Sequence, residues 1–447
     1  MTAAYLNDEV VVKEAQRRLQ AYLPIPWEGY WYNAMDAWIA LIAAAAMGTS
    51  IAAVCREGQE APSDNTLRDK HDEQGWDDRL IETACNDLLA QSVRQCTWHG
   101  QFPVVMDFHE EPFYGKVPPD DPDVIRRGKA KAGTTSCHTF ATAYVSRHHR
   151  RFTLALTRVR AHESMLDVAD RLRTRVEGLG IHVQVYLLDR QFWTYELQAA
   201  WQARPYIIAL RRTGKSGTEG GTRPLFGLQE SQWVTYTLSP KNEEPLDISV
   251  AVVVLPESRQ ERQARLAKAE TACEKAQQRV EDKAKALDDN DSAANKRALT
   301  CAHKALAKAQ ARLEQERVSK IRTTLCYAVN QVASWSLKRI YSTYRGRFGI
   351  ESSYRQSRQA RVFTTSRQPW YRLLIFGLSM MLRNLWLEVR WFLGDPQRGR
   401  GGRKIAKGLL PFPMFLRWLA WAAWKALRFK TWLYPQTELP NPLWAIP

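Results

Sequence analysis

Three carboxylates stand where metal-assisted chemistry on a phosphodiester would need them. Asp107 lies in the run "VVMDF" and Asp189 closes "YLLDR", both flanked by residues that favour buried strands. A buried aspartate without a partner is costly, so each calls for a cation or for hydrogen-bond donors. Two of them on neighbouring central strands suggest a shared metal. Mg²⁺, or Mn²⁺ in its place, prefers a few carboxylates completed by water and phosphate oxygens, and two such ions about 4 Å apart activate the attacking oxygen and stabilise the leaving one. A third acid is then expected on a later helix. Glu351 answers that demand within "YRGRFGIESSYRQSR", Tyr344 to Arg358. At helical pitch Tyr344, Arg347, Glu351 and Arg358 share an arc of roughly 60°, which would set two guanidiniums beside the acid to grip phosphates. The competing reading is that Glu351 only pairs with Arg347 and Arg355, each four residues away.

The elements that must position these residues follow from periodicity. After a helical stretch over residues 1–100, "FPVVMDF", "HTFATAYVS" and "RFTLALTRV" alternate as strands. The amphipathic helix "ESMLDVADRLRTRVEGLG" follows, then the strand "IHVQVYLLDRQFW", the helix "TYELQAAWQAR" and the strand "PYIIALRR". Three strands, helix, strand, helix, strand is the order of a ribonuclease H-like fold: an α/β protein with a mixed sheet and helices on both faces. In that order the first and fourth strands are neighbours, which would bring Asp107 to Asp189.

Composition and periodicity divide the chain into a helical N-terminal domain (1–100), expected to bind DNA, the first part of the α/β core (101–212), expected to be catalytic, a strand-rich insertion (213–255), a charged antiparallel helical hairpin (256–320), the last part of the core with the third acid (321–385) and a basic Trp-rich helical region (386–447). Within the first, the segment before Gly58 and the helix capped by Ser63 or Asp64 outline a helix-turn-helix offering Asn65, Arg68 and Lys70; an ordinary helical pair is equally compatible. In the hairpin Leu266, Ala269, Cys273, Ala276, Val280 and Leu287 face Leu299, Ala302, Leu306, Ala309 and Leu313, a small-residue seam suited to a spacer or a partner-binding arm. Near the C-terminus Trp418, Trp421 and Trp424 read as a packed stripe, and the loop "RGRGGRK" as a contact for backbone phosphates.

Bulk charge narrows the partner. The 447 residues carry a formal net charge of +17, and residues 321–447 hold 21 basic and 4 acidic side chains, so the whole excess sits in the last part of the chain. Such a field suits a polyanion. Seven cysteines without a CxxC pair point to a reducing compartment. The charged opening predicts no secretory leader. Ala37–Cys55 reads as a buried, Ala-rich helix with a turn near Gly48 rather than a membrane span, and Phe415–Leu433 is too charged to cross a bilayer.

At the third acid the sequence resembles a known family. Tyr344, Arg347, Glu351 and Arg358 are similar to the Y-x2-R-x3-E-x6-K signature of bacterial DDE transposases of the insertion-sequence-four type, with Arg358 where that family has Lys; "MDFHEEPFYG" and "LLDRQFW" extend the likeness. The resemblance implies a metal-binding catalytic triad of Asp107, Asp189 and Glu351, with Tyr344, Arg347 and Arg358 touching double-stranded DNA at the transposon ends. It further implies cut-and-paste transposition by a cytoplasmic, nucleoid-associated homodimer on paired ends, and an aromatic for a flipped base, for which Phe348 and Trp335 are candidates. A nuclease without strand transfer and a catalytically inactive DNA-binding derivative are the alternatives; a membrane-bound role is the most remote.

Overall fold

A computed structural model describes residues 6–96, 98–131, 133–147, 150–214, 221–318, 322–393 and 409–429. Five helices come first: α1 (Asp8–Tyr22), α2 (Ala34–Met47), α3 (Ile51–Glu57), α4 (Asp64–Asp72) and α5 (Asp78–Arg94). Each has a side-chain N-cap, from Asn7, Asn33, Ser50, Ser63 and Asp77 in turn, which satisfies an amide that the first helical turn leaves unbonded. Gly48 ends α2 at φ 61°, in the left-handed region that glycine adopts without strain, and the chain bends by 108° into α3. Helix α2 is buried, as its alanine-rich sequence predicts, and no single described helix is long and apolar enough to cross a membrane.

An α/β region follows: β1 (Gln101–Pro112), β2 (Arg126–Lys131), β3 (Thr134–Arg147), β4 (Arg150–Val159), α6 (Met165–Glu177), β5 (His182–Leu188), α7 (Tyr195–Ala200) and β6 (Tyr206–Ala209). Across the sheet the order is β4-β3-β1-β5-β6, and the short β2 pairs with β3 near its start. β3 runs antiparallel to both β1 and β4, whereas β5 runs parallel to β1 and β6 parallel to β5. The sheet is therefore mixed. Pro103, which cannot donate to a ladder, sits at the register shift in β1 where that loss is tolerated.

The chain continues with β7 (Gln232–Leu238), β8 (Leu246–Pro256), α8 (Arg259–Asp289), α9 (Ala293–Val318), β9 (Arg322–Asn330), α10 (Leu337–Arg345), α11 (Gly349–Ser357), α12 (Pro369–Phe392) and α13 (Phe412–Leu427). Two compact units result. The first comprises the described residues of Met1–Ile208, Asn330–Ser334 and Ser342–Pro447; the second comprises those of Ala209–Val329 and Trp335–Tyr341. Residues 1–100, read from the sequence as a domain of their own, belong to the same unit as the sheet carrying Asp107.

Within the first unit, α5 and α12 seal β4, an outer strand. The Asn86 amide donates to the Leu156 carbonyl at 2.9 Å and accepts from its N–H at 2.8 Å. Asn384 does the same for Thr153, at 2.7 and 3.0 Å. Two side chains thus replace the missing neighbour strand and leave no template for another edge to pair with. Helices α5 and α12 approach closely because Gly377 has no Cβ; one there would collide with the Cys85 sulfur. A buried ion pair ties α1 to the same layer: the Arg18 guanidinium binds Glu388 bidentately at 2.7 and 2.8 Å.

In the second unit β7 and β9 flank β8, all antiparallel. Pro256 at the end of β8 pairs with Arg322 at the start of β9, so α8 and α9 form an arm inserted into that hairpin connection. The seam residues predicted from the 3,4 spacing are half-buried, and Val280 alone is fully so.

Candidate active site

Asp107 and Asp189 converge because of strand register. Met106 of β1 pairs with Leu188 of β5, and the Asp189 amide donates to the Met106 carbonyl at 3.2 Å. Asp189 is the first residue past β5 and caps the short turn Arg190–Phe192, accepting from the Gln191 amide at 3.1 Å. Asp107 accepts from the Phe108 amide at 2.9 Å. Burial pushes the Asp107 carboxyl up to about 6, with Arg347 opposing and Asp189 adding to the rise. A desolvated acid beside a second acid favours a nearby cation.

The cation that fills this demand is Arg347. Its Nη1 lies 3.0 Å from Oδ2 of Asp107 and 3.2 Å from Oδ1 of Asp189, so the two carboxylate oxygens are within about two hydrogen-bond lengths of each other. Burial opposes charge on Arg347, yet Tyr344, Asp107 and Asp189 hold its pKa above the usual value. Nε of the same guanidinium is buried with no hydrogen-bond partner among the described residues. The backbone beneath is pinned, since the Tyr144 hydroxyl donates to the Arg347 carbonyl at 2.9 Å.

Glu351 stands apart from the pair. It is exposed in the first turn of α11, close enough to raise the Asp107 pKa but forming no ion pair among the described residues. The predicted pairing with Arg347 and Arg355 is therefore absent, and Arg347 is spent on the two aspartates instead. Among the described residues no three His, Cys, Asp or Glu side chains gather closely enough to hold one ion. The predicted single helix is interrupted. The chain leaves α10 at Arg345, makes a 3₁₀ turn over Gly346–Phe348, enters α11 at Gly349 and makes a second 3₁₀ turn from Arg358. The four signature residues are therefore carried by two α-helices and the turns after each of them rather than by one uninterrupted α-helix. A Cβ at Gly349 would meet the Arg151 guanidinium, which would have to shift.

Tyr344 is a second correction. Expected at DNA, it is 3% exposed, and its hydroxyl donates to the Leu188 carbonyl at 3.0 Å; it holds the end of β5. Arg358 is exposed, as a phosphate contact requires. Phe348 is 53% exposed beside Arg347, whereas the Arg339 guanidinium covers Trp335 at 3.8 Å. In α4, Asn65 and Arg68 are exposed and Lys70 is half-buried, with Arg68 paired to Asp64 and Lys70 to Glu73. The tryptophan stripe is not packed as predicted: Trp421 and Trp424 are 49% and 45% exposed, while Phe415, Leu416 and Leu419 take the inner face of α13. The "RGRGGRK" loop lies outside the described residues.

Several residues around the pair escaped the sequence reading. Tyr354 of α11 hydrogen-bonds Thr142 at 2.7 Å and donates weakly to the Asp107 carbonyl at 3.4 Å; burial keeps it a phenol. Arg126, from a strand that periodicity missed, donates to Gln191 at 3.3 Å and lies over Phe108 at 5.8 Å, with no carboxylate partner among the described residues. Arg383, 2% exposed in α12, reaches Ser353 and Gln356 of α11 and the Arg151 carbonyl, and burial lowers it to about 9. Only the basic bias of "RRGKAK" could have singled out Arg126; Arg383 had no signal, being one of three arginines in a largely apolar helix.

Two hard carboxylate oxygens already sharing a cation form a donor set that fits Mg²⁺ or Mn²⁺. No protein-family model and no curated protein matches the chain.

Proposed function

We propose that the chain is a DDE-type DNA transposase with a ribonuclease H-like catalytic core, acting on double-stranded transposon ends and target DNA as a homodimer in the cytoplasm. The observation that carries this reading is the meeting of Asp107, Asp189 and Arg347, three residues from distant parts of the sequence, where the parallel pairing of β1 with β5 ends. The strand order β4-β3-β1-β5-β6, antiparallel on one side of β1 and parallel on the other, supports the ribonuclease H-like core. Basic charge concentrated after residue 320 supports a nucleic-acid partner.

In this reading Asp107 and Asp189 hold the metal, with Glu351 as the third carboxylate. Bound there, a divalent ion would activate the attacking oxygen and stabilise the leaving one. The chain's own residues orient the substrate. Arg347, with an unsatisfied buried Nε, and the exposed Arg358 take phosphate oxygens flanking the scissile bond. Tyr344 holds the end of β5 before Asp189, and Tyr354 holds β1 at Asp107.

The exposure of Glu351, which forms no ion pair among the described residues, favours a second reading, a transposase-derived DNA-binding protein that does not cleave. Metal-dependent cleavage of labelled DNA carrying the gene's flanking ends distinguishes the two. Cleavage and strand transfer by the wild type, lost in Asp189→Ala and Glu351→Ala with DNA binding retained, support the transposase. Binding without cleavage in all three supports the second reading, and cleavage without strand-transfer product identifies a nuclease.

A further inference from the structure

Arg347 and a divalent cation compete for the same two oxygens. Nη1 lies 3.0 and 3.2 Å from Oδ2 of Asp107 and Oδ1 of Asp189, whereas Mg²⁺ sits about 2.0–2.1 Å from its oxygen ligands. A cation bound by both oxygens would fill the volume between them that Nη1 occupies. The guanidinium cannot vacate it by losing a proton, because arginine stays charged at any working pH. It has to swing out, and it then needs an anion elsewhere.

Two features suit it to that exchange. Both acids converge on one nitrogen rather than on the parallel two-nitrogen fork that makes arginine–carboxylate pairs strong, and Nε is left buried and unbonded. A phosphate, which accepts from Nε and an Nη together, is the better partner for the fork. The main chain stays fixed during the swing, since the Arg347 carbonyl is held by the Tyr144 hydroxyl.

We infer that Arg347 is a resident counter-ion that keeps divalent metal off the Asp107–Asp189 pair until a DNA phosphate draws the guanidinium away. Metal and DNA then bind with positive cooperativity, and linkage makes the coupling reciprocal. The inference rests on the reading of the aspartate pair as a metal site.

The test is Mn²⁺ binding to the full chain, followed by the electron paramagnetic resonance of free Mn²⁺, with and without saturating duplex DNA. The wild type should bind Mn²⁺ weakly alone and on the order of tenfold or more tightly with DNA. Arg347→Gln should bind tightly without DNA and gain little from it. Arg347→Lys, which keeps the charge, should stay weak, and this rules out a merely loosened fold as the cause. Asp189→Asn should abolish binding in every case. Equal DNA-free affinity in wild type and Arg347→Gln, with Asp189→Asn still abolishing it, would overturn the counter-ion role while leaving the metal site in place. Absence of Mn²⁺ binding to every form, with DNA present, would overturn both.

Discussion

The hydroxyl of Tyr344 donates to the main-chain carbonyl of Leu188 at 3.0 Å, one residue before Asp189. A residue expected at the DNA surface thus acts from the interior, by fixing where β5 ends. Tyr344→Phe removes this bond without changing shape and should cost about 1 kcal/mol of stability. Cleavage should fall while DNA affinity stays near wild type, because the aspartate pair loses its support and no phosphate contact is lost. Urea denaturation combined with duplex-binding titration checks this; lost affinity at unchanged stability would return Tyr344 to the DNA interface.

His71 should make the protein sensitive to acid. It is 3% exposed among Trp38, Trp76 and Tyr371, and burial pushes its pKa down from 6.5 to about 4. The unfolded chain therefore takes up a proton at a pH where the folded chain does not. The contribution is fully present above about pH 6.5 and is lost progressively as pH falls toward 4, reaching about 2–3 kcal/mol near pH 4.5. His71→Phe should flatten that part of the stability–pH curve, read from urea midpoints at pH 7.5 and 4.5. Parallel curves for the two proteins would assign the acid loss to other groups.

Arg18 and Glu388 form a buried bidentate pair joining α1 to α12. Arg18→Ala strands the Glu388 carboxylate in the interior and should cost about 3–5 kcal/mol, whereas Glu388→Ala should cost less, because Arg18 keeps its ion pair with Glu14 at 2.6 Å. The double substitution Arg18→Met with Glu388→Leu should recover most of that loss. A double-mutant cycle by chemical denaturation measures the coupling; additive losses would mean the pair acts only through packing.

The arm should be removable without unfolding the strands that bear it. Val280 is the one fully buried residue of α8 and α9, and Pro256 pairs directly with Arg322 at the base. Replacing residues 258–320 by a short glycine-rich turn should lower helix content in far-ultraviolet circular dichroism yet leave a cooperative thermal transition. Loss of that transition would show that the arm supports the β8–β9 hairpin.

What the sequence determined by itself was local and periodic. Alternating apolar residues marked the strands of Asp107 and Asp189, Ser63 marked the start of α4, Gly48 the end of α2, and 3,4 spacing the seam of the arm, because each of these is written in the backbone preferences of adjacent residues. Tertiary structure decided the rest. Helical pitch could not show that a 3₁₀ turn over Gly346–Phe348 interrupts the helix, nor that Tyr344, Arg347 and Glu351 would become one buried phenol, one ion-paired guanidinium and one exposed acid. Nor could a Trp stripe reveal which side of α13 would face inward, since Phe415 and Leu419 make an equally apolar stripe on the same helix. The meeting of Arg347 with Asp107 and Asp189 depends on parallel register between β1 and β5 and on the path of the chain after α10. That register is set by packing across the whole sheet, which no short stretch of sequence contains.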